Sequence, residues 1–328
     1  MHGVFIGTSL MTSGLSPAAA QPVQIYGLTT MTVNSIKGAG ERTELRDNTR
    51  LGFRGTEDLG GGMRAFFGLE MGIEGDAGNA GSSIRNSYVG LRGDFGALAL
   101  GRLDSANPTG SPLYSQVTAI VPFAPADSGA TAIGTAILNA RNRTSNSLGY
   151  ISPGWHGFDV RARYYLRGAP KSPEVENGAK SFDIGFNYTD KNLHAGIGFA
   201  KDSRPGGLLA NELSSKWQAG LSYAFGPVAP YALIGRDTYK NTAVSRREVD
   251  YWIAGAKYSQ NAHAVALNLM QRDVQSTLGG RRRRQQLAYF YAMSKRTELH
   301  AFVDRDGVDS SRRNVAIRAM GVGIKHRF

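Results

Sequence analysis

The chain has 328 residues, a formal net charge of +12 from 38 basic and 26 acidic side chains, and no cysteine. That excludes disulfides, thiolate metal sites and Cys nucleophiles. Hydrophobic residues are 41% and charged residues 20%, too apolar for a disordered chain, and no uncharged apolar run of about 18 residues or more follows the N-terminus to form a membrane helix.

Residues 1–20 contain no Asp, Glu, Lys or Arg and end in Ala18-Ala19-Ala20. Small residues at those positions fit signal cleavage, so 1–20 is expected to be a removable export leader and 21–328 a single domain. The leader lacks a basic n-region and offers only His2; a wrongly placed start codon would explain that.

From there the chain alternates with period two. Met63, Ala65, Phe67, Leu69 and Met71 oppose Arg64, Phe66, Gly68 and Glu70. Phe158, Val160, Ala162, Tyr164 and Leu166 oppose Asp159, Arg161, Arg163 and Tyr165. The same pattern runs through Phe182–Tyr188, Leu193–Phe199, Trp217–Phe225 and Leu287–Met293. A strand sends successive side chains to opposite faces, so each run has one apolar and one polar surface. The segments 82–95 and 96–103 alternate poorly and give no clean assignment of faces.

A soluble sandwich alternates as well. Two details favour a membrane barrel. The segments run about ten residues or more, enough to cross a bilayer when tilted, and the polar face carries full charges throughout. The apolar faces end in Tyr188, Tyr223, Phe225 and Tyr258, which suit an interfacial girdle. Backbone groups in lipid must all be paired, so such strands close into a barrel. The expected fold is therefore all-β: a transmembrane antiparallel barrel of about sixteen strands. They are expected to begin near 22, 44, 62, 82, 96, 143, 156, 180, 192, 214, 228, 247, 261, 285, 296 and 313. Turns such as 189–192, 225–227 and 259–261 are short. The stretches 168–180, 201–214, 238–247, 274–285 and 304–313 read as longer polar loops. An arginine facing the bilayer midplane costs about 2–4 kcal/mol, so strand arginines face the lumen. By parity Arg50, Arg54, Arg161, Arg163 and Arg167 line its wall.

Catalytic patterns are sparse. The histidines His2, His156, His194, His263, His300 and His326 stand singly, and no zinc motif, nucleophile elbow or phosphate loop is present. No metal, cofactor or enzymatic activity is expected.

Several segments resemble a known family. They are Val23-Gln24-Ile25-Tyr26-Gly27, the run from Arg50 to Gly62, Tyr88-Val89-Gly90-Leu91, Leu100-Gly101-Arg102, the run from Arg143 to Tyr150, Ser294-Lys295-Arg296-Thr297, and the terminal Gly321–Phe328. Together they resemble the trimeric general porins of the Gram-negative outer membrane, of the beta-proteobacterial type, over essentially all of 22–328. The resemblance implies a homotrimer and an arginine cluster facing a constriction formed by the third loop. The matching residues are Arg50, Arg85 and Arg143, with Arg102 as a further member. It also implies that the C-terminal aromatic Phe328 is the signal read by the outer-membrane assembly machinery.

The stretch 103–142 is the third-loop candidate, expected to fold into the barrel and narrow it, with an external loop as the alternative. Its acids are Asp104 and Asp127, few enough that the constriction is expected to be net positive and to favour anions. The basic clusters Arg246-Arg247, Arg281–Arg284 and Arg312-Arg313 fall in expected loops. There they form a solvated face, or meet the phosphates of outer-membrane lipid and lipopolysaccharide; no recognition fold for nucleic acid accompanies them. The expected function is a passive, water-filled diffusion channel for ions and small hydrophilic solutes that prefers anions. The alternatives are a substrate-specific channel for anionic solutes such as phosphate or organic acids, a barrel enzyme, and a soluble basic protein.

Overall fold

The computed structural model describes residues 23–38, 40–75, 79–104, 111–121, 143–166, 180–203, 213–242, 245–275, 279–310 and 313–328. Along the first part of the chain lie β1 (Gln24–Lys37), β2 (Arg42–Asp47), β3 (Thr49–Gly60), β4 (Met63–Glu74), β5 (Asn79–Gly93), β6 (Gly96–Asp104), the helix α1 (Pro112–Ile120), β7 (Arg143–Ile151) and β8 (Phe158–Tyr165). The second part holds β9 (Lys180–Thr189), β10 (Leu193–Ser203), β11 (Leu213–Tyr223), β12 (Val228–Thr242), β13 (Ser245–Gln260), β14 (His263–Gln275), β15 (Gly280–Ala292), β16 (Thr297–Ser310) and β17 (Arg313–Arg327).

Apart from β2 and β3, each strand pairs antiparallel with the next, and β17 returns to β1 with Leu28 opposite Arg327 and Lys37 opposite Arg318. β2 and β3 are one stave interrupted at Asn48, for β1 pairs with β2 along 31–36 and with β3 along 24–28. The result is a closed antiparallel barrel of sixteen staves, as the period-two pattern requires. The apolar parity points outward: Ile197, Phe199, Trp217, Leu221, Ile234, Leu267 and Leu287 are exposed, while Gln218, Asn268 and Gln286 between them are buried. An exposed apolar belt around a polar interior is the arrangement a bilayer stabilises. At the short-turn end the belt closes in aromatic pairs, Phe158 with Tyr188 at 4.7 Å and Tyr223 with Phe225 at 4.5 Å between ring centroids. The tight turn after β3 uses Gly60, Gly61 and Gly62 at φ values of 79°, 58° and 79°, a region where a Cβ is strained.

Two sequence expectations need correcting. First, the stretches 238–247, 274–285 and 304–313 are mostly strand, not loop. β12 runs to Thr242, β14 to Gln275 and β16 to Ser310, and their partners begin within a few residues. Polar residues there keep the alternation, and the ladder is held by charge pairs above the lipid, such as Arg281 Nε to Asp273 Oδ1 at 2.6 Å. Arg246-Arg247 therefore lie in β13 and Arg281–Arg284 in β15; Arg313 opens β17, while Arg312 and Arg167 lie outside the described residues. Second, the poor alternation of 82–103 has a local cause. The ladders slip between Glu70 and Met71, and again between Gly101 and Leu103. An extra residue in one strand reverses parity beyond it.

The helix α1 belongs to the third-loop candidate. Ser111 caps it, its hydroxyl accepting from Tyr114 N at 3.3 Å, and Pro112 follows at the first turn, where its missing N–H costs nothing. Leu113, Val117 and Ile120 are buried. They lie against the lumen face of β9 to β12, where Gly185, Gly196, Gly198 and Gly220 make room. A Cβ at Gly185 would stand 2.9 Å from Pro112 Cβ, and one at Gly220 2.9 Å from Ile120 Cδ1. Val117, Ile120 and Val121 join Tyr231, Leu233, Tyr251, Ile253 and Met270 in an apolar cluster inside the barrel. Polar ties fix the rest: Gln218 Nε2 donates to Leu113 O at 2.6 Å, and Gln116 Nε2 to Asn187 Oδ1 at 3.0 Å.

Candidate functional site

The ladder registers bring charges on β3 to β7 into one chain. Arg50 on β3 and Glu70 on β4 lie two positions apart across the lumen face, and the slip after Glu70 swings Arg85 of β5 toward it. Arg85 Nε donates to Glu70 Oε1 at 2.7 Å, and Arg50 Nε lies 3.7 Å from Glu70 Oε2. Asp104, the last residue of β6, sits opposite Arg143, the first of β7. Arg143 Nε donates to Asp104 Oδ2 at 2.9 Å, and Arg85 Nη2 lies 3.6 Å from the same oxygen. Asn86 Oδ1 accepts from Asp104 N at 2.7 Å. Among the described residues, three guanidinium groups thus share two carboxylates. The carboxylates are buried, and the guanidinium groups keep 13–24% of their side-chain surface open. Charge-assisted bonds of this kind hold an arginine in one place, so these guanidinium groups are presented to the lumen from fixed positions.

The other expected site residues fall as follows. Arg102 pairs across the ladder with Ser87, on the outward face shared by Leu100 and Val89. Its Nε donates to Ile84 O at 2.7 Å and its Nη1 to Ser145 Oγ at 2.8 Å. Asp127 lies outside the described residues. Arg54 faces the lumen, with Nε donating to Gln24 Oε1 at 3.0 Å and its guanidinium 4.9 Å from the Tyr26 ring centroid. Arg161 Nε donates to Asp159 Oδ1 at 2.8 Å. Arg163 is fully buried and donates to Asp183 Oδ2 at 2.8 Å, which also accepts from Tyr165 Oη at 2.9 Å.

Sequence reasoning missed Glu70 as a member of the cluster. Its parity placed it on the polar face, but its partners come from strands whose register the sequence does not print. It also missed two further buried lumen pairs, Lys216 with Asp237 at 2.8 Å and Arg284 with Asp304 through Nε at 2.9 Å. Among the described residues no group of three or more His, Cys, Asp or Glu side chains could hold a metal ion.

The first strand and the C-terminal residue meet on the wall. Gly27 N donates to Phe328 O at 3.1 Å and Phe328 N to Gly27 O at 3.2 Å. The Phe328 ring covers Gly27 where no Cβ would fit.

Comparison with known proteins agrees with this architecture. A family profile described as Gram-negative porin matches residues 8–311. The outer membrane porin protein 32 of Delftia acidovorans is 28% identical over 92% of this chain and 88% of its own length. The major outer membrane protein P.IB of Neisseria gonorrhoeae is 29% identical over 53% of this chain and 47% of its own length. Among solved structures, the anion-selective porin from Comamonas acidovorans superposes with a TM-score of 0.75 at 25% identity, covering 94% of this chain and 99% of its own. The trimer form of OmpT from Vibrio cholerae gives 0.72 at 12% identity, covering 94% and 99%; at that identity the likeness is one of fold. With a closed sixteen-stave barrel, a lipid-facing belt and a profile match over most of its length, this chain belongs to the Gram-negative porin family and is an outer-membrane porin channel.

Proposed function

We propose that the barrel is a passive, water-filled diffusion channel for ions and small hydrophilic solutes, and that it prefers anions. The observation that carries this reading is the clustering of Arg50, Arg85 and Arg143 around Glu70 and Asp104. A fixed charge in a narrow, low-dielectric passage attracts ions of opposite sign and repels those of its own. In this reading the third loop, seated through α1 on the inner wall, sets the pore's size, Asp104 and Asp127 are its acids, and Arg50, Arg85 and Arg143 set its sign. Arg102 acts from the outward side of the same strands. Arg54, Arg161 and Arg163 belong to the wall. The anion-selective name of the Comamonas relative supports the preference.

The assembly is proposed to be a homotrimer, as one solved relative is described in a trimer form. Residues 1–20 act as an export leader and 21–328 as the single barrel domain. Phe328 is proposed as the mark read by the assembly machinery, and the outward arginines above the belt as contacts to lipid and lipopolysaccharide phosphate. The channel works without catalysis or cofactor.

Reversal potentials in a potassium chloride gradient across planar bilayers test the preference. The wild type is expected to favour chloride. Arg50→Gln with Arg143→Gln is expected to move the reversal potential toward zero or beyond. Potassium selectivity in the wild type, or no movement in the double variant, would sink the assignment.

A further inference from the structure

Between the short turns and the Arg50–Arg143 cluster, the lumen wall formed by β1, β3, β4 and β5 holds a cavity of about 650 Å³. Its size suits a small organic molecule. Its floor has an unusual construction. Three aromatic rings each lie across the ladder onto a directly opposed glycine: Tyr26 on Gly52, Tyr88 on Gly68 and Phe66 on Gly90. Each of these glycines has no space for a Cβ beneath the ring. The rings therefore lean over the neighbouring strand with one face on the wall and the other toward the lumen. Two of them carry a guanidinium: Arg54 stands 4.9 Å from the Tyr26 centroid and Arg92 5.3 Å from that of Phe66.

The charge around this floor is one-sided. Among the described lining residues, arginines 50, 54, 64, 92 and 327 stand with one carboxylate, Glu70, and Glu70 already accepts from Arg85. Arg64 stands directly opposite Arg92 on β5 and Asp58 on β3. Like charges in that position destabilise a sheet, and an anion held between them would relieve the repulsion. The wall thus combines a surplus of arginines among its described residues with three aromatic rings, two of them capped by a guanidinium.

We infer that this wall is a binding site for planar aromatic carboxylates on their way through the pore. The inference rests on the diffusion-channel reading and names a solute class that the channel holds beyond simple passage. A carboxylate meets the Arg64 and Arg92 guanidinium groups, which accept such a group in bidentate fashion. The attached ring lies on the Tyr88 face or on the guanidinium planes that cap Tyr26 and Phe66, planes that stack with aromatic rings. A small inorganic anion or an aliphatic acid meets the same charges but gains nothing from the rings.

The test uses the full-length protein in planar bilayers, with chloride as the current carrier and naphthalene-2-carboxylate as the probe. The probe is expected to reduce the current in a saturable manner. Its fully saturated analogue, decahydronaphthalene-2-carboxylate, should need about tenfold more for the same block, the size of an aromatic stacking contribution. Arg64→Gln with Arg92→Gln should weaken block by both acids, and Phe66→Leu should narrow the gap between them. Equal block by the two acids in the wild type would overturn the inference even where a variant fails to assemble. A conducting wild type that neither acid blocks would overturn it and leave the channel reading standing, whereas a wild type that does not conduct removes the channel reading and this one together.

Discussion

At the scale of single residues, the lumen is organised by charges that have been taken out of water in pairs. Arg163 and Asp183 have no accessible side-chain surface, and they sit directly opposite each other in the β8–β9 ladder. Removing one member of such a pair leaves an unmatched ion that the surroundings cannot solvate. Asp183→Ala should therefore lower the barrel's stability by about 3–5 kcal/mol, read as a fall in the thermal unfolding midpoint in detergent. Adding Arg163→Met should recover much of the loss. A single variant as stable as the wild type would show that water reaches the pair. The sequence made the arginines legible, because a guanidinium on a lipid-facing strand position is so costly that parity fixes its direction. It made their partners less so: Asp183 and Asp237 lie on the polar face of their runs, but only the register shows which cation each one meets. Glu70 was hidden for a further reason, since Arg85 reaches it through a ladder slip that breaks the regular alternation.

At the scale of elements, sixteen strand positions were readable to within a few residues, the largest miss being β15, expected near 285 and beginning at Gly280. That miss comes from reading Arg281–Arg284 as a loop. A run of four arginines looks like solvated coil, yet Arg282 and Arg284 point inward to Asp306 and Asp304, and their neighbours point out. The helix α1 was not foreseen at all. Nine residues of mixed character, Pro112–Ile120, carry too weak a period to stand out, and what holds them is the set of glycines on β9 to β11 far away in sequence. The helix is thus a tertiary creation. Val117→Asp should undock it, because an unpaired carboxylate on the apolar cluster around Tyr231 and Leu233 costs several kcal/mol. Single-channel conductance is expected to rise while the strand content by circular dichroism stays as it is. Unchanged conductance would mean that α1 does not narrow the passage.

At the scale of the whole molecule, the formal charge of +12 acts together with the arginine cluster on ions approaching the mouth. The long-range part of that attraction is screened within about 10 Å at 0.1 M salt and about 3 Å at 1 M. The chloride preference should therefore shrink as salt is raised, with a remainder at high salt set by the buried-edge cluster alone. Selectivity ratios from reversal potentials at matched gradients but rising mean concentration would check this, and a ratio independent of salt would place all the discrimination at short range. Fold class was the most legible property of all, because alternation, strand length and the paired-backbone requirement in lipid leave a closed sheet as the outcome. Closure itself has one further consequence. Since β1 and β17 are neighbours joined by the same ladder as any other pair, with Gly27 and Phe328 bonded to each other, nothing in the sheet distinguishes the seam from its other junctions. Refolded in detergent, without the assembly machinery that would read Phe328, a circular permutant that joins Phe328 to Val23 and is cut open at the glycine turn after β3 should rebuild the same cylinder, with the new ends meeting where Gly60 and Met63 now face each other.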